Sequence, residues 1–125
     1  MSERHASPYY TVDADEHKKL VRLERSVTPF PSVEEAVSAS EAMLRAIAPM
    51  AGWRLLFDLR RGPARNDPEF EQATAPLRDR LHRLFPKMAL VVRTVAGGMH
   101  VRRLARGPAG IFLDEAGALR YLEQD

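Results

Sequence analysis

The chain has 125 residues, 45% of them hydrophobic and 29% charged, which suits one domain with its own core. It contains no cysteine, excluding disulfides, thiolate metal sites and cysteine nucleophiles together. The formal charge is only +2, although sixteen of the 19 basic residues are Arg, so the pI of 9.3 does not describe a strongly cationic domain.

The first residues are charged but lack the apolar core of a signal peptide, and no later run approaches the roughly 18 apolar residues of a membrane span. A soluble, cytoplasmic protein is expected, with residues 1–8 as a flexible tail and 9–125 as a single domain. Tyr9-Tyr10-Thr11-Val12 is a short β-prone run, which the acidic Asp13 to Glu16 should end. Lys19 to Val27 alternates apolar and charged residues and should pair with the tyrosine run as a hairpin. Pro29-Phe30-Pro31 stops it. Ser32-Val33-Glu34-Glu35 then matches a capping box, and Val33, Ala36, Val37, Ser40, Met43, Leu44 and Ile47 share one helical face before Pro49 and Gly52.

Trp53 to Leu59 is apolar apart from Arg54 and Asp58, with the length of a central strand. Asp67-Pro68 predicts a cap and first residue for a helix whose stripe is Phe70, Ala73, Thr74, Leu77, Leu81, Leu84 and Phe85, kinked at Pro76. Met88 to Val95 is a second core strand. Gly97-Gly98 should end it, before a short basic helix over 99–106. Ile111-Phe112-Leu113 is a third core strand, and Asp114 caps a last helix with Ala118, Leu119 and Leu122 facing inward. This order predicts an α/β fold with a mostly parallel sheet of four to five strands, an N-terminal hairpin and about four covering helices.

No catalytic constellation emerges. Asp58 ends a central strand, as a phosphoacceptor aspartate would, but Arg25-Ser26-Val27-Thr28 supplies no acidic pair for the metal that chemistry needs. His5, His17, His82 and His100 lack ligand spacing, and no nucleophile-elbow, phosphate-loop or dinucleotide motif is present, so neither an enzyme, a metal nor a cofactor is expected. The loop arginines Arg60, Arg61 and Arg65 alternate with Asp58, Asp67, Glu69 and Glu71, which favours an ion-paired surface over nucleic-acid binding. Gly97-Gly98 with Arg93 and Arg102 is a weak recipe for an anion site.

The element order, with the apolar strand Leu55-Leu56-Phe57-Asp58-Leu59 entering a loop and helix, resembles the STAS superfamily of sulfate-transporter and anti-sigma-factor-antagonist domains, especially its stand-alone bacterial members. The match runs from about Tyr9 to Glu123, and a related group joins this architecture with the lipid-binding Sec14 fold. In the antagonists the helix after this loop starts with a serine that a partner kinase phosphorylates. Here the start is Asn66-Asp67-Pro68-Glu69, with no hydroxyl from Asp58 to Gln72. The resemblance implies a non-catalytic regulatory module that docks on another protein through Arg60, Arg61, Arg65, Asn66, Asp67 and Glu71, with Glu71, Arg78 and Arg83 on the exposed side of the helix. The alternative is a module binding a small anionic or amphipathic ligand at the strand C-terminal ends, with Arg93, Gly97, Gly98 and Arg102 as the anion contacts. The tyrosine-bearing first strand also allows an edge-mediated homodimer.

Overall fold

The computed structural model describes residues 1–65, 67–105 and 107–124. The order is β1 (Ser2–Ala6), β2 (Tyr10–Asp15), β3 (Leu20–Arg25), α1 (Val33–Ile47), β4 (Arg54–Asp58), α2 (Pro68–Leu84), β5 (Met88–Val91), α3 (Val95–Leu104), β6 (Gly110–Phe112) and α4 (Glu115–Glu123).

Alternation in β2 and β3 places Tyr10, Val12, Ala14, Val21 and Leu23 in one core, and the strands pair antiparallel with Tyr10 opposite Arg25. Asp13 and Asp15 do not end β2, because at their positions the side chains fall away from that core. The chain reverses over 16–19 instead. There the Asp15 carboxylate accepts the Lys18 N–H at 3.1 Å and Lys19 takes φ +52°. Ser2–Ala6, expected within a flexible tail, forms an edge strand antiparallel to β2, with an irregularity between Glu3 and His5. A solvated edge is held by backbone pairing and needs no apolar alternation, so nothing in SERHA announces it.

Ser32 caps α1 by accepting the Glu35 N–H at 3.0 Å, and Ala36, Ser40, Met43, Leu44 and Ile47 form its buried face. A 3-10 turn, Ala48–Met50, and Gly52 at φ +89° lead into β4. Asp67 caps α2, Pro68 occupies its first position, and the helix continues through Pro76. The strand expected over 88–95 stops at Val91, because Thr94 starts α3 by accepting the Gly97 N–H at 2.9 Å. Gly97 and Gly98 are therefore the first turn of a helix rather than a strand-ending loop. Glycine at 98 has a packing cause: a Cβ there would lie 3.2 Å from Ile111 and 3.3 Å from Val92.

The strands form one six-stranded sheet in sequence order, antiparallel across β1, β2 and β3 and parallel from β3 to β6. One strand more than expected comes from β1. Leu55, Met88 and Leu90 join the hairpin's apolar residues in a core with α1 and α2, while Leu56, Ala89 and Val91 face α4 through Ala118 and Leu122. A helix-covered sheet whose parallel strands end on one side brings the β4–α2 loop and the start of α3 together there.

Candidate functional site

Between the sheet face that carries Phe57, Met88 and Leu90 and the inner sides of α2 and α3 lies a cavity of about 430 Å³. Leu77 and Leu81 of α2 and Val101 and Leu104 of α3 complete its apolar walls. This volume falls within the roughly 300–1,000 Å³ of small-molecule sites, and the lining is mostly apolar, with Arg25, Arg60, Arg65, Arg78 and Arg93 among its polar groups.

The most distinctive polar group is Arg25. Alternation along β3 puts it on the same face as Val21 and Leu23, at the strand end, where it is only 7% exposed. Its Nη1 donates to the Ser26 carbonyl at 3.0 Å and the Tyr9 carbonyl at 3.4 Å. The guanidinium carbon sits 4.1 Å from the centre of the Phe30 ring, with Tyr9 and Tyr10 at 5.8 and 5.7 Å. Among the described residues no carboxylate pairs with it. Burial lowers its pKa, a direction that the nearby tyrosines oppose and that reports the cost of holding a desolvated cation. A second polar group on the wall is the pair Tyr10 and Ser40, whose hydroxyls lie 3.0 Å apart. Burial raises the Tyr10 phenol above its ordinary value, a direction that the Ser40 bond and the Arg25 charge oppose.

The β4–α2 loop roofs the Arg25 end. Gly62 packs so closely that a Cβ there would meet the Arg25 Cγ at 2.7 Å. Arg65 donates to Asp67 at 2.7 Å and stacks on Phe70 at 4.6 Å, and Phe70 in turn lies 6.1 Å from Phe30. Where α2 faces α3, one Glu71 carboxylate oxygen lies 3.8 Å from the His100 Nε2 and 3.9 Å from the Arg103 Nη2. Arg78 donates to the Thr74 hydroxyl at 2.5 Å and to the Glu71 carbonyl at 2.9 Å. Glu71 and Arg78, expected on the exposed side of α2, are thus half-buried between the helices.

Asp58 points to the other face of the sheet. Its carboxylate accepts from the Arg60 N–H, Nε and Nη2 at 3.0, 3.0 and 2.8 Å, and from the Arg22 Nη2 at 3.2 Å. Arg22 also donates to Glu115 at 2.6 Å and to Glu24 at 3.2 Å, tying β3, β4 and α4 together. Burial alone would raise the Asp58 carboxyl; the bonds from Arg60 and the charge of Arg22 outweigh it and hold the group below the ordinary carboxylate range.

Among the sequence-derived docking residues, Arg60 and Arg65 are therefore ion-paired within the chain, Asp67 is a helix cap and Glu71 turns inward. Arg61 is exposed, 3.6 Å from Glu24, and Asn66 lies outside the described residues. Of the proposed anion contacts, Arg93 and Gly97 line the same cavity as Arg25, whereas Gly98 and Arg102 do not. The Gly97 and Gly98 N–H groups go to the Thr94 hydroxyl and carbonyl, both at 2.9 Å, Arg93 donates to the Arg60 carbonyl at 3.2 Å, and Arg102 is exposed. Arg25, absent from those expectations, holds the position they were meant to fill. Its signal in the sequence was parity: it falls two residues beyond Leu23 and four beyond Val21. Among the described residues no three His, Asp or Glu side chains are placed to hold a metal, and no helix is long and apolar enough to cross a membrane.

The sheet, its antiparallel N-terminal strands, its covering helices and the loop from β4 into α2 make up the STAS, or SpoIIAA-like, fold. The chain is similar over 94% of its length to a solved uncharacterized protein of the DUF3478 family with a SpoIIAA-like fold from Shewanella loihica PV-4, with a TM-score of 0.65, 12% identity and 98% of that chain covered. No family model and no curated protein matches the sequence.

Proposed function

We propose that the chain is a non-catalytic module that binds a small amphipathic anion, with the head group at Arg25 and the apolar body along Phe57, Leu77, Met88 and Leu90. The observation that carries this reading is the buried Arg25 guanidinium, which lines an apolar cavity without a carboxylate partner among the described residues. A desolvated cation held only by carbonyls and aromatic faces is completed by an anion, and a carboxylate, sulfate or phosphate accepts its forked donors. The hydroxyls of the cavity are engaged, Tyr10 with Ser40 and Thr74 with the Phe70 carbonyl at 2.8 Å, which supports binding rather than conversion. Docking through residues 60–71 has less to draw on, because most of those charges are satisfied within the chain.

Thermal denaturation with alkyl carboxylates and sulfates of graded length, and with the matching alcohols as neutral controls, tests the proposal. The anions should raise the melting temperature, with about 2.7 kcal/mol of stabilisation at a hundredfold excess over Kd, and the alcohols should do far less. Equal responses to anions and alcohols, or none to either, would remove this reading.

A further inference from the structure

The outer side of α3 carries exposed apolar and basic side chains that the cavity does not use. From Arg93 to Leu113 the sequence carries Arg93, Arg102, Arg103 and Arg106 and no Asp or Glu, a formal +4. The rest of the chain has 15 basic against 17 acidic residues, or −2. The same segment contains Val95, Met99 and Leu113, exposed by 67%, 70% and 53%, three of the five large hydrophobic side chains exposed among the described residues. Positive charge and unburied apolar surface are thus concentrated together.

Their placement is ordered. Gly97, His100, Val101 and Leu104 line the cavity, so at helical spacing Val95, Met99 and Arg102 fall on the opposite, outward side, with Arg103 at its border, 66% exposed and bonded to the His100 Nδ1 at 2.9 Å. Val95 and Met99 are one turn apart, and Arg102 and Arg103 flank them one turn further on. The Val92 N–H donates to the Phe112 carbonyl at 2.8 Å, which sets Leu113 beside Val92 at the end of the sheet from which α3 departs. Gly98 is the one buried residue of α3, whereas α1 buries five. A helix with so little inward anchoring and an apolar, basic outer side is built to rest on something else.

We propose that this surface docks on a lipid bilayer bearing anionic head groups, with Val95, Met99 and Leu113 entering the boundary between head groups and acyl chains and Arg102 and Arg103 meeting the phosphates. Charge complementarity selects the partner. A segment whose only charged side chains are arginines suits an anionic plane, and the central valine and methionine would gain nothing from a nucleic-acid backbone, which rewards charge alone. Attachment through one short helix is weak and reversible, and salt should screen it.

Flotation of the full chain with phosphatidylcholine vesicles, and with vesicles also containing phosphatidylglycerol, tests the proposal. The chain should float with the anionic vesicles at low salt, leave them at high salt and ignore the neutral ones. Met99→Glu combined with Arg102→Glu should weaken partitioning at least tenfold with the melting temperature unchanged, since both side chains are exposed. Met99→Trp should gain a blue-shifted emission on adding anionic vesicles, relative to the unsubstituted chain. No flotation, equal flotation on neutral vesicles, an unaffected double variant, or tight binding to nucleic acid or an acidic peptide with vesicles left free would overturn the proposal. None of these outcomes depends on Arg25 or on a ligand in the cavity.

Discussion

The Arg25 guanidinium lies 4.1 Å over the Phe30 ring in the wall of a mostly apolar cavity. The ring face offers a quadrupole and the Tyr9 and Ser26 carbonyls offer dipoles, but none cancels a full charge. Replacing Arg25 with Met should therefore separate binding from stability. A charge-assisted bond contributes about 1.5–3 kcal/mol, so affinity for an alkyl carboxylate should fall about ten- to a hundredfold. The melting temperature of the free protein should stay level or rise, because the desolvated charge is gone. Calorimetric titration beside thermal denaturation measures both, and a variant that loses stability while keeping affinity would assign Arg25 a structural role.

Gly62→Ala tests the roof of the same site. Its added methyl would meet the Arg25 Cγ at 2.7 Å, near the stem of the side chain, so Arg25 must shift. We expect weaker ligand binding with a stability loss of about 1–3 kcal/mol, the usual cost of overpacking. Unchanged affinity would show that the loop and Arg25 are not coupled.

Val101→Trp should fill the cavity from its α3 wall. The position is half-buried, so α3 can adjust, and the expected result is a folded protein whose melting temperature no longer responds to amphipathic anions. A persistent response would place the ligand elsewhere.

Asp58 predicts the opposite pattern from Arg25. Its carboxylate holds Arg60 and Arg22 on the far face of the sheet, so Asp58→Ala should cost about 3 kcal/mol and leave ligand affinity unchanged. Its folded pKa is depressed, so its contribution is complete above the unfolded value of about 3.9 and is lost as pH falls through the lower folded value. Acid denaturation curves should show a shallower loss of stability in that window for Asp58→Ala than for the unsubstituted chain.

Most helix starts were legible because a cap is a local bond. Ser32, Asp67 and Asp114 each accept an N–H three residues on, within reach whatever the rest of the chain does. Thr94 makes the same bond to Gly97, but two adjacent glycines argue locally for a turn. Only the close approach of α3 to Val92 and Ile111 explains why glycine sits inside that helix. The edge strand Ser2–Ala6 was illegible for a related reason: backbone pairing with β2 holds it, and backbone pairing leaves no mark on side-chain pattern.

The sequence by itself determined the α/β class, the order from β2 onward and the caps at Ser32, Asp67 and Asp114, since these follow from local bonds and from periodicities of two and 3.6. The tertiary structure alone decided which charges are spoken for. Asp58 and Arg25 each end a strand, but the pleat sends Asp58 to Arg22 and Arg60 on one face and Arg25 to aromatic rings on the other. A charge acquires its meaning from what lies opposite it, and for Arg25 the pleat, the rings of Tyr9, Tyr10 and Phe30 and the roof loop set that neighbourhood.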